Sequence, residues 1–159
     1  MKKLNEKTIT RSLAKGMLAG LIGGLVATAA KTLTEKIYRR RTHGEPDPLA
    51  ILAEKLVGHE LVGTQKTAAV ETLQWGFGAL TGAAYGALAE YYPQATAKDG
   101  AAFGMALTSL THGTGLPALG LPDDAHEQTT RERTSEMATH VVYGVVTETV
   151  RRRARKMLG

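Results

Sequence analysis

The chain has 159 residues, a net charge of +5 and no cysteine, and a length in this range suggests one domain. The absence of cysteine excludes a disulfide framework, a thiolate metal site and a cysteine nucleophile. The basic residues collect at segment ends rather than along one continuous face, a distribution suited to lipid headgroups more than to a nucleic-acid groove.

In chain order, a first helix is expected over residues 4–40. Gly16, Gly20 and Gly24 recur in it every four residues and so stack on one face. A cleavable signal peptide fits badly, because the apolar run over residues 16–30 passes straight into Lys31 and a continuing helical pattern. Arg39, Arg40 and Arg41 close the helix and read as a headgroup anchor. Asp47 then has the character of an N-cap with Pro48 at the first helical position, and Gly58 is a natural stop. Between them Leu49, Ile51, Leu52, Leu56 and Val57 fall at helical spacing. This segment is too short to span a bilayer and reads as an amphipathic surface helix.

Thr64 is the expected cap of the next helix, which carries Gly78, Gly82 and Gly86 and ends before Pro93. Trp75 near its start and Tyr91 and Tyr92 at its end read as interfacial anchors. A third helix is expected from Ala97 or Asp99, with Gly100 and Gly104 on one face. Gly113, Gly115 and Pro117 break it beside His112. The last helix is expected from Asp123 or Asp124, through Gly144, into the arginines at 151–153.

Glycine at every fourth position is a poor choice for a helix in water, where each costs roughly 1 kcal/mol against alanine. In lipid, helix association depends on close backbone approach, and stripes of small residues supply it. The uncharged stretches at 16–30, 72–89, 100–122 and 137–147 compare with the roughly 20 residues needed to cross the hydrocarbon layer. The expected fold is therefore all-α: one helical membrane domain over 1–159, a four-helix bundle packed through Gly16, Gly20, Gly24, Gly78, Gly82, Gly86, Gly100, Gly104 and Gly144. Each terminus carries five Lys or Arg residues and the first inter-helix segment seven, which favours cytoplasmic termini only slightly.

Chemistry concentrates on the last helix. Glu136, His140, Gly144 and Glu148 follow one another at spacings of four and share a face. Ionisable groups in a crossing segment are costly and point into the bundle towards partners. The sharp reading gathers His112, Glu136, His140, Glu148 and Glu71 into a proton-linked or metal-binding cluster, since histidine titrates near neutrality and ligates metals. The plainer reading, which outweighs it, has these groups bond one another and hold the bundle in register. Glu136 and His140 depart from the Glu-x-x-His spacing of di-iron bundles, and there is no second copy. No zinc-protease, nucleophile-elbow or phosphate-loop motif occurs in the sequence, so no catalytic residue, cofactor or enzymatic activity is expected. Arg151, Arg152, Arg153 and Arg155 are read, like the arginines at 39–41, as anionic-lipid contacts.

Three stretches resemble the YagU-like family: Trp75-Gly-Phe-Gly-Ala-Leu-Thr-Gly-Ala-Ala-Tyr-Gly with Glu90-Tyr-Tyr-Pro, His112-Gly-Thr-Gly-Leu-Pro-Ala-Leu-Gly-Leu, and Ser135-Glu-Met-Ala-Thr-His-Val-Val-Tyr-Gly-Val-Val-Thr-Glu. The resemblance implies a small bacterial inner-membrane protein with several crossings and a domain of unknown function, and it transfers no site residue. The function expected is a structural or interaction role in the membrane, as a homo-oligomer associating through the glycine stripes, without nucleic acid. A small proton or ion transporter built around the break at Thr111–Gly115, and a soluble or peripheral helical scaffold, are the alternatives.

Overall fold

The computed structural model describes residues 11–37, 47–111, 115, 118 and 129–159. All regular structure among them is helical: α1 (Leu13–Ile37), α2 (Pro48–Val57), α3 (Gly63–Tyr91), a 3-10 stretch (Pro93–Gly100), α4 (Ala101–Leu110) and α5 (Thr130–Met157). His112, Arg39, Arg40 and Arg41, most of the break after Thr111, and the expected start at Asp123 or Asp124 lie outside the described residues.

Local signals explain most of the boundaries. The Asp47 side chain accepts the Leu49 N–H at 3.0 Å, and Gly58 closes α2 in the left-handed conformation at φ 81°. Thr64 does not cap α3. The helix begins one residue earlier at Gly63, behind Val62, without a side-chain cap. Asp99 does not start α4 either. Lys98 and Asp99 both take φ 53°, a left-handed pair that ends the 3-10 stretch, and Gly100 at φ 90° opens the helix. A Cβ on Gly100 would also lie 2.7 Å from the Glu148 Cβ, so conformation and space both demand glycine there. For α5 the start is a capping box: Thr129 Oγ1 accepts from the Glu132 N–H, and the Glu132 carboxylate accepts from the Thr129 N–H. The pattern Thr-x-x-Glu is a sequence signature of such a start, overlooked in favour of the upstream aspartates.

Of the three long helices, two run opposite to the first. Along α1 and α3, Gly16 meets Gly86, Gly20 meets Gly82 and Gly86, and Gly24 meets Gly78 and Gly82, so the two run antiparallel. Gly23, on the next face of α1, rests on the Thr147 carbonyl of α5, and Lys15 Nζ donates to the Gly159 carbonyl at 2.7 Å. Thus α5 is also antiparallel to α1 and parallel to α3. α4 lies along α5, where Gly100 and Gly104 meet Gly144 and the His140 carbonyl. α2 packs beside the start of α3, tied by Lys66 Nζ to Glu54 Oε1 at 3.0 Å.

The burial pattern is inverted relative to an ordinary water-soluble domain. The buried apolar residues are mostly alanines (19, 27, 50, 53, 83, 89 and 154), with Leu61, Tyr85 and Tyr143. The large aliphatic side chains Leu18, Leu21, Val26, Leu80, Leu88 and Leu110 are exposed, while Thr139, Thr147 and Glu148 are at most 1% exposed. Leu and Val are normally among the residues most often buried, and glutamate almost never is unless paired.

Candidate functional site

The inward stripe of α5 runs Glu132, Ser135, Glu136, Thr139, His140, Tyr143, Gly144, Thr147, Glu148, Arg151 and Arg155, all buried. Its residues fall into three levels along the bundle. At the level of the α1 start lie the ion pairs, in the middle only uncharged groups, and at the α5 start Glu136 with His140.

The first level is the most strongly connected. Glu148 Oε2 accepts from Arg151 Nε at 2.7 Å and from the Tyr85 hydroxyl of α3 at 2.8 Å. Its Oε1 accepts from Arg151 Nη2 at 2.9 Å and from Arg152 Nε at 3.3 Å. Arg152 also donates to Asp99 Oδ1 at 2.7 Å, which holds the left-handed turn against α5. One turn on, Arg155 Nη2 donates to Glu90 Oε1 at 2.6 Å, and the same carboxylate caps α1 by accepting the Ser12 N–H at 2.8 Å. Two-pronged arginine–carboxylate bonding of this kind fixes geometry as well as energy.

In the middle, Tyr143 donates to the Gly78 carbonyl at 2.7 Å, with its hydroxyl 2.8 Å from Thr81 Oγ1. Thr28, Thr139 and Thr147 bond back to carbonyls of their own helices at 2.7–2.9 Å, a habit of hydroxyl side chains in helices. Phe103 of α4 fills the space between the tyrosines, stacked on Tyr85 at a ring distance of 4.2 Å and 6.2 Å from Tyr143.

Among the described members of the expected cluster, Glu71 and Glu148 lie apart from Glu136 and His140. His140 Nδ1 lies 2.9 Å from the Glu136 main-chain oxygen, so that nitrogen donates within its own helix. Glu148 is eight residues further along α5, about 12 Å at helical rise, and is held by arginines and Tyr85. Glu71 sits on the exposed start of α3 and accepts from Trp75 Nε1 at 3.1 Å. No group of three or more metal-ligating side chains occurs among the described residues.

The arginines also need reassignment. Arg151 and Arg155 are buried, because the carboxylates of Glu148 and Glu90 lie inside the bundle and draw them in; they are not headgroup contacts. Arg152 is half-exposed but paired, and Arg153 is exposed. Tyr85 and Glu90 were missed by the sequence reading. Their partners lie 63 and 65 residues away, and no local pattern encodes such a pairing. The nearest signal was the charge of Glu90 at the end of an otherwise uncharged run.

As chemistry, the seam fastens helices. Each carboxylate at the first level is bonded by arginine, and the middle hydroxyls are satisfied by carbonyls. No curated protein and no solved structure matches the chain. A family model does match, over residues 25–149, from the middle of α1 through the buried stripe of α5. The chain therefore belongs to the DUF1440 family of proteins of unknown function.

Proposed function

We propose that this protein is a membrane-embedded helical bundle with a structural role, its apolar side chains bathed by lipid and its polar seam holding three long helices in fixed register. One observation carries the reading: large aliphatic residues face outward while charged and hydroxyl groups fill the interior. In water that distribution leaves a large apolar surface exposed; in a bilayer it removes the ionisable groups from hydrocarbon. α1 is the one helix among those described that is long and apolar enough to cross by itself. At 29 and 28 residues α3 and α5 have the length, and in this reading they cross with their polar faces covered by one another and by α1. The bacterial inner membrane and kinship with YagU-like proteins are parts of the same proposal.

Two expectations change within it. The glycine stripes are filled inside one chain, so self-association in the membrane uses other faces. Of the expected pH-responsive cluster, Glu71 and Glu148 are held elsewhere, Glu136 and His140 adjoin one another on α5, and His112 lies outside the described residues. The transporter reading depended on a break of which residues 112–114 lie outside the described residues, and it is not carried further.

The test is extraction and labelling. The protein is expected to stay with membranes at alkaline carbonate. Because the chain lacks cysteine, a cysteine placed at Leu21 or Leu80 can carry a polarity-sensitive dye, whose emission should shift to the blue in vesicles. A monodisperse protein in plain buffer with the dye in a water-like environment overturns the proposal and supports the peripheral scaffold.

A further inference from the structure

The two ends of the bundle differ in charge, and the difference survives ion pairing only at one of them. Four distances define that end. Lys15 touches Gly159 at 2.7 Å, Glu90 binds both Ser12 and Arg155, and Arg152 binds Asp99. The start of α1, the finish of α3, the left-handed turn and the finish of α5 therefore lie together. Its described acidic residues are three: Glu90, Asp99 and Glu148. Each is matched by one arginine of α5, in the pairs Glu90–Arg155, Asp99–Arg152 and Glu148–Arg151. Five cations remain: Arg11, Lys15, Lys98, Arg153 and Lys156.

Among the described residues none of the five bonds an Asp or Glu side chain; Lys15 is half-buried on the Gly159 oxygen, and the other four are exposed. The opposite end, with α2 and the starts of α3 and α5, holds six described basic residues against seven acidic ones. Four of the latter are seen paired or capping: Glu35 with Lys31, Glu54 with Lys66, Asp47 with the Leu49 N–H, and Glu132 with Thr129. Among the described residues that end is close to neutral.

The cationic end also has the trimmings of an interface. Tyr91 and Tyr92, exposed by 42% and 62%, stand at it, and Leu13 and Met17 are exposed just below on α1. Amphipathic rings at headgroup depth above an aliphatic band are the arrangement found where helices leave a bilayer. A negatively charged leaflet attracts such cations, each worth about five-fold in partition near the surface. Nucleic acid would match the charge but not the adjoining aliphatic band.

We infer that the end of the bundle carrying Arg11, Lys15, Lys98, Arg153 and Lys156 is a docking surface for anionic lipid headgroups, so that this end faces the negatively charged leaflet. The inference rests on the membrane reading above and adds to it the lipid class and the direction. The buried arginines take no part: their charge is spent on the carboxylates, and the surface is made by their exposed neighbours.

The test uses the full-length chain in vesicles of phosphatidylcholine containing 30% phosphatidylglycerol, with a dye on a single cysteine. The cysteine replaces Gln94 at the cationic end or Glu60 at the opposite end, both exposed. A trace of nitroxide-headgroup phosphatidylglycerol or phosphatidylcholine serves as quencher. At low salt the anionic quencher is expected to act at least five-fold more effectively than the neutral one at position 94. At position 60 the two should act alike. The excess at 94 should fall towards one in 0.5 M salt, where screening shortens to about 4 Å, and in the variant R11Q/K15Q/K98Q/R153Q/K156Q. The salt arm keeps the wild-type surface and needs no variant to fold. Equal quenching by both lipids at position 94 overturns this inference while leaving the membrane reading intact. Absence of quenching by either lipid at either position overturns the membrane reading, and this inference with it.

Discussion

The α1–α3 contact and the α3–α5 contact are built by opposite means. Between α1 and α3 the helices touch backbone to backbone: a Cβ on Gly16 would lie 2.8 Å from the Gly86 carbonyl, and one on Gly82 would lie 2.5 Å from that of Gly20. Between α3 and α5 the backbones stay apart, and Tyr85–Glu148, Tyr143–Gly78 and Glu90–Arg155 bridge the gap, with Phe103 wedged in from α4. The first contact is a matter of shape and has no angular demand beyond the glycine register. The second is directional, and each of its members is chosen by a partner. A bundle whose described interior is mostly alanine, glycine and polar groups needs both: close backbone packing for dispersion contacts and saturated polar bonds for uniqueness.

The comparison can be broken most severely on the directional side. Arg151→Ala leaves Glu148, 1% exposed, with one arginine fewer and a buried charge to solvate. The expected loss is about 3–5 kcal/mol of unfolding free energy, read from denaturant melting in detergent micelles. A double replacement of Glu148 and Arg151 by Leu and Met should recover most of that loss. Tyr85→Phe, which removes one hydrogen bond to the same carboxylate and keeps the stacking on Phe103, should cost about 1.5–3 kcal/mol.

On the backbone side, Gly82→Ala drives a methyl group into the Gly20 carbonyl and the Gly24 main chain. Overpacking of that kind costs roughly 1–3 kcal/mol. At Gly76, on the same helix two residues before Gly78, an added Cβ would meet nothing within 4 Å. Gly76→Ala should therefore stabilise by up to about 1 kcal/mol through helix propensity alone. Opposite signs from two glycines six residues apart would isolate packing from propensity; equal signs would remove the backbone-contact account.

The smallest effect lies outside both contacts. Lys66, and behind it the Leu61 N–H, hold the Glu54 carboxyl below its ordinary value of 4.5. A lowered value in the folded state means that the α2–α3 tie contributes fully above pH 4.5 and fades as pH falls through the lowered range. Protection of the α2 amides from hydrogen exchange should weaken slightly on acidification, and Glu54→Gln should abolish that dependence while leaving α5 protection untouched.

The limits of reading this chain follow the distance over which its signals act. Asp47, Pro48 and Gly58 bound α2 through contacts within four residues, and they are legible because the partner is nearby in sequence. Thr129 and Glu132 were equally legible and were passed over for Asp123 and Asp124. The four-residue glycine period, the helical class and the shared face of Glu136, His140 and Glu148 follow from the helix repeat alone. Which stripe meets which, and that Arg151 and Arg155 turn inward to Glu148 and Glu90 while Glu71 stays outside with Trp75, depends on the register of helices whose hydrogen bonds reach across 42 to 144 residues. Periodicity marks a face without naming its neighbour; only the assembled helices settle that choice, because an ion pair or a glycine contact exists only where two backbones are brought to the same level.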